Sequence, residues 1–171
     1  MITWENIAKG LQNTVWRYRL EIFHHQEIYK IMPQNSIFYI DGAHNISGAK
    51  VVADFLKQET FNDGISNYII NGRTKDTDSK NFLIQFKDII KMVIAIRSNM
   101  EAISESPEII QKAANAINLH CSIGNSIQDA INLIVKYENN ITHNYENYNI
   151  QDLQKPVRIV LCGSLYLVKM L

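Results

Sequence analysis

Apolar positions in this chain fall into two alternating rhythms. Ser36 to Ile40 is a continuous apolar, β-rich run and predicts a buried strand. Gly48 to Gln58 follows with Val51, Val52, Phe55 and Leu56 at helical spacing. The pattern then repeats: Tyr68 to Ile70 reads as a strand and Ser79 to Phe86 as a helix with Phe82, Leu83 and Phe86 on one side. Lys91 to Ile96 is the next strand. Pro107 suits a first helical turn, and Ile109, Ile110, Ala113, Ala114 and Ile117 form that helix's apolar face. Leu119 to Ile123 predicts another strand, Ser126 to Tyr137 a helix with Ser126 as N-cap, and Val157 to Cys162 a last strand. At the start, Thr3 to Lys9 predicts a short helix stopped by Gly10, and Arg19 to Phe23 looks extended. Asn139 to Gln154 is polar, rich in Asn and Tyr, and reads as a surface loop.

Strand and helix in regular alternation predict an α/β fold with a mostly parallel sheet flanked by helices. Right-handed crossovers place the strand-end turns on one edge of such a sheet. That edge would gather Asp41 to Asn45, Asn71 to Asp76, Ile96 to Asn99 and Gly163-Ser164. In open α/β sheets ligands bind outside the carboxyl ends of the strands, so polar chemistry there draws attention first.

Composition narrows the classes. With 171 residues the chain is expected to form one domain. Seventeen basic and seventeen acidic side chains cancel, so no charge excess points to nucleic acid or to an anionic membrane. No apolar run is long enough to span a bilayer, and Met1 to Glu5 lacks the basic, apolar character of a secretory signal. Cys121 and Cys162 stand alone in apolar contexts and read as buried reduced thiols. A cytoplasmic protein is expected.

The first strand runs straight into Asp41-Gly42-Ala43-His44-Asn45. A carboxylate and an imidazole on such a turn can face one crevice. The plain alternative is a strand-to-helix turn, with Gly42 for the bend and Asn45 or Ser47 as helix cap. The wording of the segment resembles the DGAHN stretch of folylpolyglutamate and dihydrofolate synthases, members of the Mur-ligase-like family of amide-forming ligases. Other segments agree in order. Gly10-Leu11 followed by Trp16-Arg17-Tyr18-Arg19-Leu20-Glu21 looks like the family's GL…WxGRLE. Asn71-Gly72-Arg73-Thr74-Lys75-Asp76 is similar to its strand end closing in DKD. Leu161-Cys162-Gly163-Ser164-Leu165-Tyr166-Leu167-Val168 matches its closing GSLYLV. Mur ligases proper usually carry a tyrosine at the place of Gly42, so the folate branch is favoured.

The resemblance implies a Rossmann-like sheet of the Mur ligase C-terminal type, and a reaction in which ATP phosphorylates a folate or dihydropteroate carboxylate that L-glutamate then attacks. It implies ATP and Mg2+ as cofactors. A phosphate-cradling Gly-Lys-Ser/Thr loop is absent from the chain. In the family that P-loop, the magnesium ligands and most of the folate pocket belong to an N-terminal domain. The chain therefore corresponds to the C-terminal glutamate-ligase domain, and is expected to need a separate N-terminal half. By position, the resemblance implies that Arg19 reaches ATP phosphate and that Asp41, His44 and Asn45 face the nucleotide. Asp41 would accept from ribose hydroxyls or orient His44. Lys75, Asp76 and Ser164 would line the substrate or glutamate cleft. Each has an ordinary alternative: Arg19 as an edge-strand surface cation, Lys75-Asp76 as an exposed ion pair, Ser164 as a helix cap. Departures occur at Tyr18, Ile46 and Thr74, where the family has glycine, proline and aspartate. No catalytic nucleophile and no metal ligand are expected in this chain. The rival reading is a non-catalytic module binding a partner or a nucleotide, or an inactive remnant of a split gene.

Overall fold

A computed structural model describes residues 2–14, 16–75, 78–98, 102–139 and 155–171. Six strands form one sheet: β1 (Glu21–Ile22), β2 (Ile37–Ile40), β3 (Ser66–Asn71), β4 (Ile90–Ala95), β5 (Cys121–Ile123) and β6 (Val157–Cys162), ordered β1-β2-β6-β3-β4-β5. All pairings are parallel except β1 with β2, which is antiparallel. The helices are α1 (Trp4–Gln12), α2 (Gln26–Tyr29), α3 (Ile46–Asp63), α4 (Ser79–Leu83), α5 (Pro107–Asn115) and α6 (Ile127–Asn139). This is the mostly parallel sheet with flanking helices that the apolar rhythm predicts.

The sheet is buried on both faces, so the middle of its central strands is largely apolar and the alternation shows in which layer each residue joins. Tyr39, Ile69, Val93, Val160 and Cys162 pack against Val52 and Leu56 of α3, Phe82 and Leu83 of α4, and Ile110 and Ala114 of α5. Their neighbours Phe38, Ile40, Tyr68, Ile70, Ile159 and Leu161 face the other way, onto Ile28 of α2 and Ile127, Ile131 and Ile134 of α6.

Local signals account for most element ends. Asn45 caps α3, its side chain accepting from Gly48 N at 2.8 Å, and Gly64 closes that helix in the left-handed region at φ 72°. Asp78 caps α4 through Asn81 N at 2.9 Å. Ser126 Oγ accepts from Asp129 N at 3.0 Å, as expected of the α6 cap. No helix among the described residues is long and apolar enough to cross a membrane.

The structure corrects several boundaries. Gly10 does not stop α1, which runs through it to Gln12; one glycine costs a helix only about 1 kcal/mol. The 79–86 helix breaks after Leu83 into a 3-10 turn, Ile84–Phe86, which still seats Phe86 in the core. Only Glu21 and Ile22 of the 19–23 stretch are extended, because Tyr18 and Leu20 take positive φ, 61° and 47°. Helix α2 carries no strong sequence signal: its cap position, His25, makes no side-chain cap bond. The expected loop 139–154 lies outside the described residues apart from Asn139, which ends α6.

Candidate functional site

Strand register decides which turns meet. Ile40 pairs with Leu161, while Asn71 pairs with Cys162 on one side and Ala95 on the other. The turns after β2, β6, β3 and β4 therefore emerge side by side on one edge. Cross-turn bonds knit them together: Asp41 N donates to Leu161 O at 3.0 Å, Gly163 N to Ala43 O at 2.8 Å, and Ile96 N to Asn71 O at 2.9 Å.

Asp41 is buried at this edge, 7% exposed. One carboxylate oxygen accepts from Ala43 N at 2.7 Å, the usual turn-forming bond of an aspartate. The other accepts from Leu20 N at 2.8 Å. A second tie runs back, from Gly42 N to Tyr18 O at 2.8 Å. Together they hold residues 18–20, in which Tyr18 and Leu20 are left-handed, against the 41–45 turn. Tyr18 thus keeps the conformation that suits the glycine of the resemblance, at a strain of about 1–2 kcal/mol for a residue with a Cβ.

Arg19 rides on this stretch. It is exposed, and its guanidinium lies 5.8 Å from the Trp16 ring centre. A Cβ on Gly42 would stand 3.3 Å from Arg19 Nη1 and 2.8 Å from Leu165 Cδ2, so the missing side chain opens the space the guanidinium uses. Arg19 makes no salt bridge among the described residues.

His44 is exposed beside it, with Nδ1 2.9 Å from Gly42 O. A carbonyl only accepts, so this contact places the proton on Nδ1 and turns Nε2 outward as the acceptor of the neutral ring. As an imidazolium the same ring donates from Nε2, the form that suits phosphate. Asn45 spends its side-chain oxygen on capping α3, the plainer of its expected roles.

The other expected residues are less free. Lys75 is exposed, yet its Nζ donates to Ala102 O at 2.9 Å and its backbone N to Ile103 O at 2.8 Å, which ties it to the neighbouring loop. Asp76 lies outside the described residues. Ser164 is buried, and its Oγ accepts from Tyr166 N at 3.3 Å, capping a 3-10 helix over Leu165–Met170.

Sequence reasoning passed over Arg73. It is buried (1% exposed), stacks 4.0 Å over the Phe82 ring, and donates from Nη2 to His44 O at 3.2 Å. Burial pulls its guanidinium below the ordinary value, against the nearby Cys162, Asp78 and Glu105, which raise it. It supports the His44 turn from below. The available signal was a cation directly after the β3 strand end, overshadowed by Lys75-Asp76. Cys162, beneath the same edge, is fully buried and its thiol is pushed up to about 12, so it stays protonated and is no nucleophile.

A sequence model of the family described as dihydrofolate synthetase, C-terminal domain, matches residues 24–171. The chain belongs to that family. Solved structures agree with the family in fold. E. coli FolC in complex with DHPP and ADP superposes with a TM-score of 0.67 at 13% identity, over 98% of this chain and 33% of its own. The Mycobacterium tuberculosis folylpolyglutamate synthase complexed with ADP gives 0.68 at 18%, over 97% and 34%. The Thermotoga maritima folylpolyglutamate synthase gives 0.61 at 20%, over 98% and 32%. This chain thus spans about a third of the length of those folate ligases. No curated protein matches it in sequence.

Proposed function

We propose that this C-terminal folate-synthase domain serves ATP-dependent ligation of L-glutamate to a folate or dihydropteroate carboxylate, through an acyl phosphate, together with an N-terminal half that carries the P-loop. The observation that carries the reading is the pairing of Arg19 and His44 on one strand-end edge. Both are exposed, and both rest on backbone anchored by Asp41 and Gly42. A fork of donors and an outward imidazole nitrogen suit the phosphates and ribose of a nucleotide held across a cleft.

ATP fits what the edge offers. Gly42 lets the Arg19 guanidinium lie against the turn, and Arg19 brings a cation with no salt bridge among the described residues. When bound, the nucleotide supplies the phosphoryl group that activates the carboxylate. This chain's part is to bind and orient: Arg19 steadies phosphate charge, His44 contacts phosphate or ribose, and Asp41 holds both loops in place. Lys75 and Ser164 take a place at the glutamate end only if their present bonds yield. Magnesium is assigned to the N-terminal half, where the family resemblance places its ligands.

The test is ADP release dependent on glutamate and a pteroate or folate, measured for the chain alone and mixed with an N-terminal half from the same source. Activity is expected only in the mixture, and Arg19→Ala or His44→Ala should depress it by about tenfold or more, the usual scale for losing one positioned donor. Activity of the chain alone would refute the division of labour. A folded, inactive mixture that still binds ADP would favour a nucleotide-binding module without chemistry.

A further inference from the structure

Two carboxylates act on the short turn that carries Arg19. Asp41, just beyond β2, accepts from the backbone N–H of Leu20 at 2.8 Å. Glu21, the first residue of β1, accepts through Oε2 from the backbone N–H of Tyr18 at 2.9 Å. Its other oxygen, Oε1, accepts from Arg17 Nη1 at 2.7 Å. The turn needs such holding. Tyr18 and Leu20 both take positive φ, which is costly for residues with a Cβ and persists only where the surroundings fix it. Glu21 can fix it because its own backbone is fixed: it pairs with Ile40 across the antiparallel ladder, one residue before Asp41. Its side chain is 25% exposed, whereas that of Arg17 is 71% exposed.

We infer that Glu21 is a positioning residue for nucleotide binding: it fixes the left-handed backbone at Tyr18 and so sets where the Arg19 guanidinium is presented. The inference rests on the function proposed above and deepens it, by naming what holds the cation of that reading in place. Arg17 and Arg19 stand on either side of Tyr18, and Glu21 sorts them. Arg17 is committed to the carboxylate, whereas Arg19 makes no salt bridge among the described residues. Arg17 in turn offsets the Glu21 charge, so a carboxylate two residues from Arg19 does not oppose an approaching phosphate. The bond from Tyr18 N, and then the Arg17 pair, hold the Glu21 carboxyl below the ordinary carboxylate range, so it is an acceptor throughout the neutral range. A plain surface ion pair with Arg17 would contribute little and would not need the bond from Tyr18 N.

The experiment measures ADP affinity by calorimetry for the chain mixed with an N-terminal half from the same source. Glu21→Ala should weaken ADP binding by about fivefold, a share of the loss that follows removal of a positioned donor outright. Glu21→Gln keeps an oxygen for Tyr18 N and should recover most of that loss. In an Arg19→Ala background Glu21→Ala should cost nothing further, because it acts through Arg19. The thermal midpoint of Glu21→Ala should stay within about 4 °C of the parent's, as suits a partly exposed side chain. Should it melt lower, Glu21→Asp takes its place: it keeps the charge, lacks the reach, and should show the same loss. An affinity within about twofold of the parent's, or losses at Glu21 and Arg19 that add in full, would overturn the inference. So would Glu21→Gln behaving like Glu21→Ala, since the bond to Tyr18 N would then not be the cause. Ligation read in the same mixtures separates the claims. ADP bound without ligation sinks the proposed reaction and spares the role of Glu21; ligation with an ADP affinity indifferent to Glu21 does the reverse. A mixture that binds no ADP overturns both.

Discussion

The carboxylate of Asp41 accepts a hydrogen bond from the backbone N–H of Leu20 at 2.8 Å, joining positions 21 apart in sequence. With its other oxygen on Ala43 N, the side chain clamps the stretch that bears Arg19 to the turn that bears His44. Asp41 is therefore a positioning residue in this structure.

Asp41→Asn keeps one acceptor oxygen and turns the other position into a donor facing an N–H. We expect a stability loss of about 1–3 kcal/mol, the cost of an unpaired buried group. A urea titration checks this. A variant as stable as the parent, with nucleotide binding impaired, would mean that Asp41 acts by direct contact alone.

Ile46 is the first residue of α3, a position where proline's fixed φ fits and its missing N–H costs nothing. Asn45 before it has φ −130° and ψ 172°, the extended backbone that a following proline requires. Ile46→Pro should raise stability by about 0.4–1 kcal/mol by restricting the unfolded chain. Chemical denaturation of the pair settles the sign.

Gly163 sits at φ 111°, and a Cβ there would stand 2.4 Å from Asn71 Nδ2 and 2.6 Å from Gly72 O. Gly163→Ala should cost about 2 kcal/mol or more, from backbone strain and from forcing apart the ends of β3 and β6. The readout is the thermal midpoint. A loss within a few tenths of a kcal/mol would show that this edge yields easily.

Glu138 lies across the sheet's other end with its side chain only 4% exposed. It accepts from both Lys91 Nζ contacts, at 2.7 and 2.9 Å, from Ser66 Oγ at 3.1 Å and from the Tyr68 hydroxyl. Burial pushes its carboxyl up, but these donors outweigh it and hold the group below the usual carboxylate range. A carboxyl depressed in the folded state stabilises the fold above its unfolded value, and that contribution is lost as pH falls through the folded one. Acid unfolding should therefore steepen below the ordinary glutamate range. Glu138→Gln should lose about 1–3 kcal/mol at neutral pH and flatten the acid limb. Melting curves across pH test both.

Much of the fold was legible because a two-faced parallel sheet favours apolar runs, and Ile37–Ile40, Tyr68–Ile70 and Ile159–Cys162 are such runs. The short pieces escaped for the opposite reason. α2 has no periodicity or side-chain cap to announce it, and β1 is extended only where it meets the edge of β2. Of the site, the Asp41–Asn45 turn could be read from its residues and its place after a strand. Arg73 could not, because its importance comes from burial under His44 and against Phe82.

The sequence alone determined the α/β class through its apolar runs, the cap at Ser126, the choice of Asn45 or Ser47 for the cap of α3, and the family through its short motifs. Those features depend on residues near one another in the chain, where side-chain chemistry and backbone geometry are written locally. Only the tertiary structure decided that Asp41 reaches Leu20 and that Arg73 lies beneath His44. Each of those depends on strand order and register, which bring together groups that sequence holds far apart.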